Sequence, residues 1–218
     1  MSWLLYIYIT FVGFAFLASL FSFRFNYPLH LKIFSILLGI TLLTEICANF
    51  LLETFNLKSN SPVYNSFLLI QYLLLAGYFR LIIESLKAKK IISLSMVVFP
   101  LFWLFTIVFI FTINHFNSYA LMFGDLLIIC LSARYLYELF TSDSLIDFKK
   151  STEFWIAAAL IFYSCCELPI TGILNYLVTN NTSLNSILQV LNIIMYATFI
   201  YAFLCRRMTN TTKLSYLQ

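Results

Sequence analysis

Apolar runs of membrane-spanning length, separated by connections too short to fold on their own, recur along the whole chain. About 20 apolar residues in helical form cross the hydrocarbon of a bilayer, where every backbone N–H and C=O must be satisfied within its own segment. This pattern predicts an all-α, polytopic membrane protein with seven transmembrane helices near residues 3–23, 31–54, 62–85, 91–113, 118–140, 154–177 and 184–205. The connections, such as LKAKK and NHFN, are hinges and not modules, so residues 1–218 form one transmembrane domain with a short tail, 206–218. Only 10% of the 218 residues are charged, against about 25% in an ordinary soluble domain. The first run has no basic n-region or small-residue cleavage site and is expected to be a retained span.

Basic residues set the expected orientation. Arg24, Lys32, Lys87, Lys89, Lys90, Lys149, Lys150, Arg206, Arg207 and Lys213 fall in alternate connections and the tail, with Lys58 alone on the other side. The positive-inside bias places the N-terminus outside and the C-terminus in the cytoplasm. The net charge of +4 is thereby explained by anionic lipid headgroups, with no nucleic acid involved. Arg80, Arg134, Lys149, Lys150, Arg206 and Arg207 form the candidate docking rim for a cytoplasmic partner. Within that rim, Arg80 with Glu84 and Arg134 with Glu138 repeat an ion-pair spacing of four residues.

The stretch ITLLTEICANFLLE shows how polar groups are spent in such a chain. Thr41, Glu45, Asn49 and Glu53 are four residues apart and lie on one face of a helix. Other spans carry comparable stripes: Tyr64, Gln71 and Tyr78; Ser118, Asp125 and Ser132; Ser164, Glu167, Thr171 and Asn175; Asn185, Gln189, Asn192 and Tyr196. With about 1.5 Å of rise per residue, Glu45, Gln71, Asp125, Glu167 and Asn192 lie about 3 to 6 Å outward of their span centres, and Asn49 about 9 Å. Ionisable groups at such depth are costly and mark cavities or partners. Glu45, Asn49, Gln71, Asp125, Glu167, Gln189 and Asn192 are therefore the candidate ligand-binding residues, in an outward-facing pocket lined by spans two, three, five, six and seven. No lysine or arginine occurs at that depth, so the carboxyls would share protons, bind a cation, hold a small polar ligand that is cationic or hydroxyl-rich, or meet water entering from outside. Pro169, two residues after Glu167, is expected to kink span six and open space beside the carboxylate. Asn65, Ser118, Ser132 and Asn175 read as ties between helices. Span four, with MVVFPLFWLFTIVFIF, is expected on the lipid-facing periphery.

An internal repeat is legible in the same residues. NSFLLIQY from Asn65 and NSILQVLN from Asn185 open spans three and seven, and spans two and six each carry a glutamate in the outer half. Residues 3–85 and 118–205 would be parallel three-helix units joined by the span at 91–113, a 3+1+3 arrangement.

Several chemistries are excluded. The last span has no lysine for a retinal Schiff base, and there is no H-E-x-x-H or G-x-S-x-G motif. Cys47, Cys130, Cys165, Cys166 and Cys205 all fall within spans in no C-x-x-C pattern, and no cofactor is expected. An enzyme is the less favoured class.

Three resemblances bear on function. The 3+1+3 layout resembles the SWEET sugar transporters, although only Pro100 and Pro169 lie deep in the spans. GDLLII and ALIFYSCCEL resemble the acidic spans of the lysoplasmalogenase family, with glutamate in a different register; this implies an intramembrane lipid enzyme. Glu45 and Asn49, the N-S-P-V-Y-N phrase with Gln71, and FWIAAALIFYS are similar to a group of uncharacterised bacterial seven-helix proteins. These read like the membrane-embedded sensor portions that accompany histidine kinases. That resemblance implies a sensor or receptor-like subunit of a bacterial inner membrane, signalling through a separate histidine kinase or other cytoplasmic protein.

Overall fold

The structure, a computed structural model, describes residues 3–24, 27–55, 59–111, 113, 115–142, 150–177 and 182–215. Lys58 and Lys149 lie outside the described residues, as do the side chains of Arg24, Glu53, Asn175, Asn185, Arg206, Arg207 and Lys213. The described residues are helical throughout: α1 (Trp3–Ser19), α2 (Phe21–Arg24), α3 (Leu29–Phe55), α4 (Ser61–Ile82), α5 (Leu86–Phe109), α6 (Ser118–Thr141), α7 (Thr152–Leu177) and α8 (Thr182–Ser215). Six of them, α3 to α8, are long and apolar enough to cross a membrane, as in an integral membrane protein; α1 is a shorter apolar helix of 17 residues.

Two boundaries differ from expectation for visible reasons. The apolar pattern predicts a first span running to residue 23, but α1 ends at Ser19. The Ser19 carbonyl accepts the Ser35 hydroxyl at 3.0 Å, while the Phe23 N–H turns to the Leu20 carbonyl at 3.1 Å. The Leu20 N–H also reaches the Leu17 carbonyl at 3.3 Å, so bonds spanning three residues tighten the chain into a turn after Ser19. The same pattern predicts a third span reaching residue 85. Instead the chain turns extended at Ile83, and Ser85 caps α5 by accepting the Ala88 N–H at 3.4 Å. Glu84 thus lies outside α4, and the expected Arg80–Glu84 helix pair is not formed in register with Arg134–Glu138, whose charges meet at 2.7 Å.

Helix neighbours form a closed ring in the order α1, α3, α4, α6, α7, α8 and back to α1. Close approach is allowed by small side chains: Ala15, Ala48, Ala76, Ala120, Ala157 and Ala202 are fully buried. Between membrane helices such residues let backbones pack, since lipid offers no hydrophobic drive to associate. Helix α5 stands outside the ring against α4 and α6, and less of it is buried than of any other candidate span. Ile91, Leu94, Leu101, Leu104 and Val108 are all exposed along it.

Contacts at each end fix which helix ends lie together. At the end holding the lysine-rich turn, Glu138 of α6 accepts the Glu84 N–H (2.8 Å) and the Ser85 N–H (3.3 Å). There too, His30 Nε2 meets Glu153 Oε1 at 2.9 Å, and the Thr152 hydroxyl donates to the Ala202 carbonyl at 3.0 Å. At the opposite end, Asn65 of α4 holds the chain just before α6: its amide donates to the Ile113 and His115 carbonyls (3.1 and 2.9 Å), and its oxygen accepts the Asn117 N–H (2.9 Å). Glu138→Ala should lower stability by about 1 to 2 kcal/mol, because two turn N–H groups and Arg134 lose their acceptor together. The readout is the thermal midpoint of the detergent-solubilised protein, and Arg80→Ala, at an exposed position, should leave it unchanged.

Candidate functional site

The ring encloses a cavity of about 200 Å³, lined from all six of its helices and by nothing from α5. Its polar lining lies toward the end opposite the lysine-rich turn, and Phe116, exposed before α6, stands at that rim. Its floor is apolar, made by Phe34, Leu37, Leu38, Leu75, Ile128, Leu160 and Phe199.

Glu45, Gln71, Asp125, Glu167 and Asn192 all line this one cavity, although they come from five different helices. The expected Asn49 and Gln189 are not in its lining. The Asn49 amide instead donates to the Glu45 carbonyl of its own helix at 2.7 Å, a local bond that needs no partner across the bundle. The Asn192 amide likewise donates to the Leu188 carbonyl at 3.1 Å, but its side chain still faces the cavity.

The three carboxyl groups differ in how fully they are engaged. Glu45, buried on α3, accepts the Tyr8 hydroxyl on Oε1 (2.9 Å) and the Tyr64 hydroxyl on Oε2 (3.1 Å). One carboxylate therefore ties α1, α3 and α4 together. Glu167 accepts the Tyr163 hydroxyl, one turn earlier on α7, at 3.0 Å. Asp125 of α6 accepts the Ser164 hydroxyl of α7 on Oδ1 at 3.0 Å. Its Oδ2 is buried with no hydrogen-bond partner, and Asp125 as a whole is only 7% exposed. A buried acceptor left open in this way is costly unless something else supplies a donor. The Gln71 side chain also has no partner among the described residues.

Among the described residues no lysine, arginine or histidine lines the cavity. No group of three or more His, Cys, Asp or Glu among the described residues is arranged to hold a metal ion, and His115 is exposed in the segment before α6 with its carbonyl held by Asn65. Pro169 is exposed too, two residues from cavity-lining Glu167, and lies within α7, which runs from Thr152 to Leu177.

Tyr8 was missed by sequence reasoning, which left the first span out of the pocket. In WLLYIYITF Tyr8 and its neighbour Tyr6 form no stripe of helical spacing, and the role of Tyr8 depends on a carboxylate 37 residues away. The aromatic contacts continue downward from it. Tyr8 and Tyr196 have ring centroids 5.9 Å apart, Tyr196 and Phe199 5.7 Å, Phe199 and Phe34 5.0 Å, and Phe34 and Tyr78 5.4 Å. Tyr78 in turn lies against His30 at 5.9 Å, so one continuous aromatic column joins the cavity to the His30–Glu153 contact.

Of the candidate docking residues, Arg80 and Lys150 are exposed, and Arg134 is half-buried with its guanidinium 5.4 Å from the Tyr137 ring. Comparison with protein-family models, curated protein sequences and solved structures gave no match.

Proposed function

We propose that the protein is an integral membrane sensor or receptor-like subunit of the bacterial inner membrane. It has seven spans, an outside N-terminus, a small ligand bound in the ring cavity, and a separate cytoplasmic partner such as a histidine kinase. The observation that carries this reading is the shape of α8. Its Asn192 and Tyr196 form part of the cavity wall, and the same helix continues unbroken to Ser215, ten residues past the end of its apolar span at Cys205. At about 1.5 Å per residue that extension projects about 15 Å beyond the span. A ligand that alters packing around Tyr196 therefore displaces an element whose far end stands clear of the span, and that extension carries Arg206 and Arg207 in its sequence. The aromatic column from Tyr8 to His30 provides a second packed connection between the two ends.

A transporter of SWEET-like layout is the second reading, favoured by one feature. The ring divides into α1, α3, α4 and α6, α7, α8, and the middle helix of each triad supplies a glutamate, Glu45 or Glu167. Transport requires the cavity floor to open to the cytoplasm. In a variant free of native cysteines, Leu75→Cys places a thiol at that floor. For a sensor, a membrane-impermeant maleimide should reach it from the outer face of oriented vesicles only. Labelling from both faces would replace the sensor reading with the transporter.

A further inference from the structure

We propose that the cavity is a binding site for a small organic ammonium ion, with Asp125 Oδ2 as the acceptor of its N–H or the counter-charge to its methylated nitrogen. The inference rests on the reading of the cavity as a ligand site and deepens it by assigning the chemical class of the ligand.

The hydrogen-bond directions favour a donor or cation as ligand. The hydroxyls of Tyr8, Tyr64, Tyr163 and Ser164 are all turned onto carboxyl groups of the site. What remains open in the wall is the buried Oδ2 of Asp125, an acceptor, and the Gln71 amide, with Glu167 also in the wall. An ammonium needs acceptors and negative charge, and carboxyl groups from three helices of the wall supply the chemistry for both. No lysine, arginine or histidine of the lining competes for that charge.

The rest of the wall suits an organic cation better than a bare metal ion. Tyr72, Phe67, Tyr163, Tyr196 and Phe199 bring aromatic rings from three helices to the same space, a setting in which quaternary and protonated amines are held through their polarised C–H or N–H groups. Both oxygens of Glu45 are taken by tyrosines, and no metal-type ligand cluster occurs among the described residues. A hard cation would therefore lack the oxygen shell it requires. Size sets the upper bound. About 200 Å³ is below the roughly 300 Å³ at which drug-sized pockets begin, so the ligand has about ten non-hydrogen atoms or fewer.

The test uses benzylammonium and tetramethylammonium chloride on the purified full chain, with benzyl alcohol as the neutral counterpart and sodium chloride at matched ionic strength. At least one ammonium should raise the thermal midpoint saturably, benzyl alcohol and sodium should not, and Asp125→Asn should weaken the ammonium's apparent affinity at least tenfold. Glu167→Gln is the second variant and should weaken it as well, should Asp125→Asn not yield folded protein. Equal stabilisation by benzyl alcohol, stabilisation by sodium alone, no response to either ammonium, or undiminished affinity in the folded variants would overturn the assignment. Saturable stabilisation by benzyl alcohol with no response to either ammonium would overturn the ammonium assignment and leave a ligand pocket of another class, whereas two-sided labelling at Leu75→Cys would remove the receptor reading whatever the ammonium result.

Discussion

Asn65→Leu should destabilise the bundle by about 2 to 4 kcal/mol, although the residue touches no ligand-facing group. The Asn65 amide and carbonyl oxygen of the side chain make three bonds to the segment that links α5 to α6, and Asn65 is fully buried. The Ile113 and His115 carbonyls are on exposed residues and can turn to water, but the Asn117 N–H is buried and would keep no acceptor. The damage spreads because Asn117 is itself the cap of α6: its side-chain oxygen accepts the Ala120 N–H at 3.2 Å, and its amide donates to the Thr106 hydroxyl at 2.7 Å. The indole N–H of Trp103 also donates to the Asn65 backbone carbonyl at 2.9 Å. The measurement is the thermal midpoint in detergent, with Ser66→Ala as the comparison. Ser66 is exposed and its hydroxyl bonds only within its own helix, to the Pro62 carbonyl, so its loss should change little. An Asn65→Leu midpoint equal to that of Ser66→Ala would contradict the role assigned to this side chain.

Phe34→Ala should cost about 3 to 5 kcal/mol and deepen the cavity toward the lysine-rich end. Phe34 is 1% exposed, forms part of the floor, and contacts the rings of Tyr78, Phe199 and Phe203, the last at 6.2 Å. In a membrane the cost does not come from transferring a ring out of water. It comes from dispersion attraction forfeited on every side of the gap and from edge-to-face pairs that no longer form. Phe34→Leu, which keeps much of the volume, should recover more than half of the loss. The thermal midpoints of the two variants decide the matter, and equal midpoints for alanine and wild type would show that the floor is not packed as described.

Much of the site was legible because membrane helices make polar residues conspicuous. Glu45, Gln71, Asp125, Glu167 and Asn192 stood out against apolar neighbours, and the cavity gathers all five. The peripheral place of α5 was readable too, because its sequence has no polar stripe. What sequence spacing could not convey was direction around each helix with respect to neighbours far along the chain. Asn49 shares a face with Glu45 on paper, yet its amide turns back on the Glu45 carbonyl. Gln189 is one turn from the cavity-lining Asn192 and still falls outside the lining. Tyr8 was hidden for the opposite reason, since a tyrosine in an apolar run counts as hydrophobic until an acceptor from another helix reaches its hydroxyl. The pairing of Glu138 with the turn N–H groups of Glu84 and Ser85 was equally silent, because backbone donors leave no mark in a sequence.

The exclusion of α5 from the ring carries a constraint on how such a chain is threaded into the bilayer. Helices α4 and α6 are neighbours tied at both ends, through Asn65 to Asn117 at one and Ser85 to Glu138 at the other, so they run in the same direction. Two adjacent parallel helices need a return stroke between them, and α5 is that stroke. Deleting it would invert every later helix and carry Asp125 and Glu167 to the opposite leaflet, far from Glu45. A helix that contributes no atom to the cavity wall is thus what determines that the cavity has two halves facing the same way.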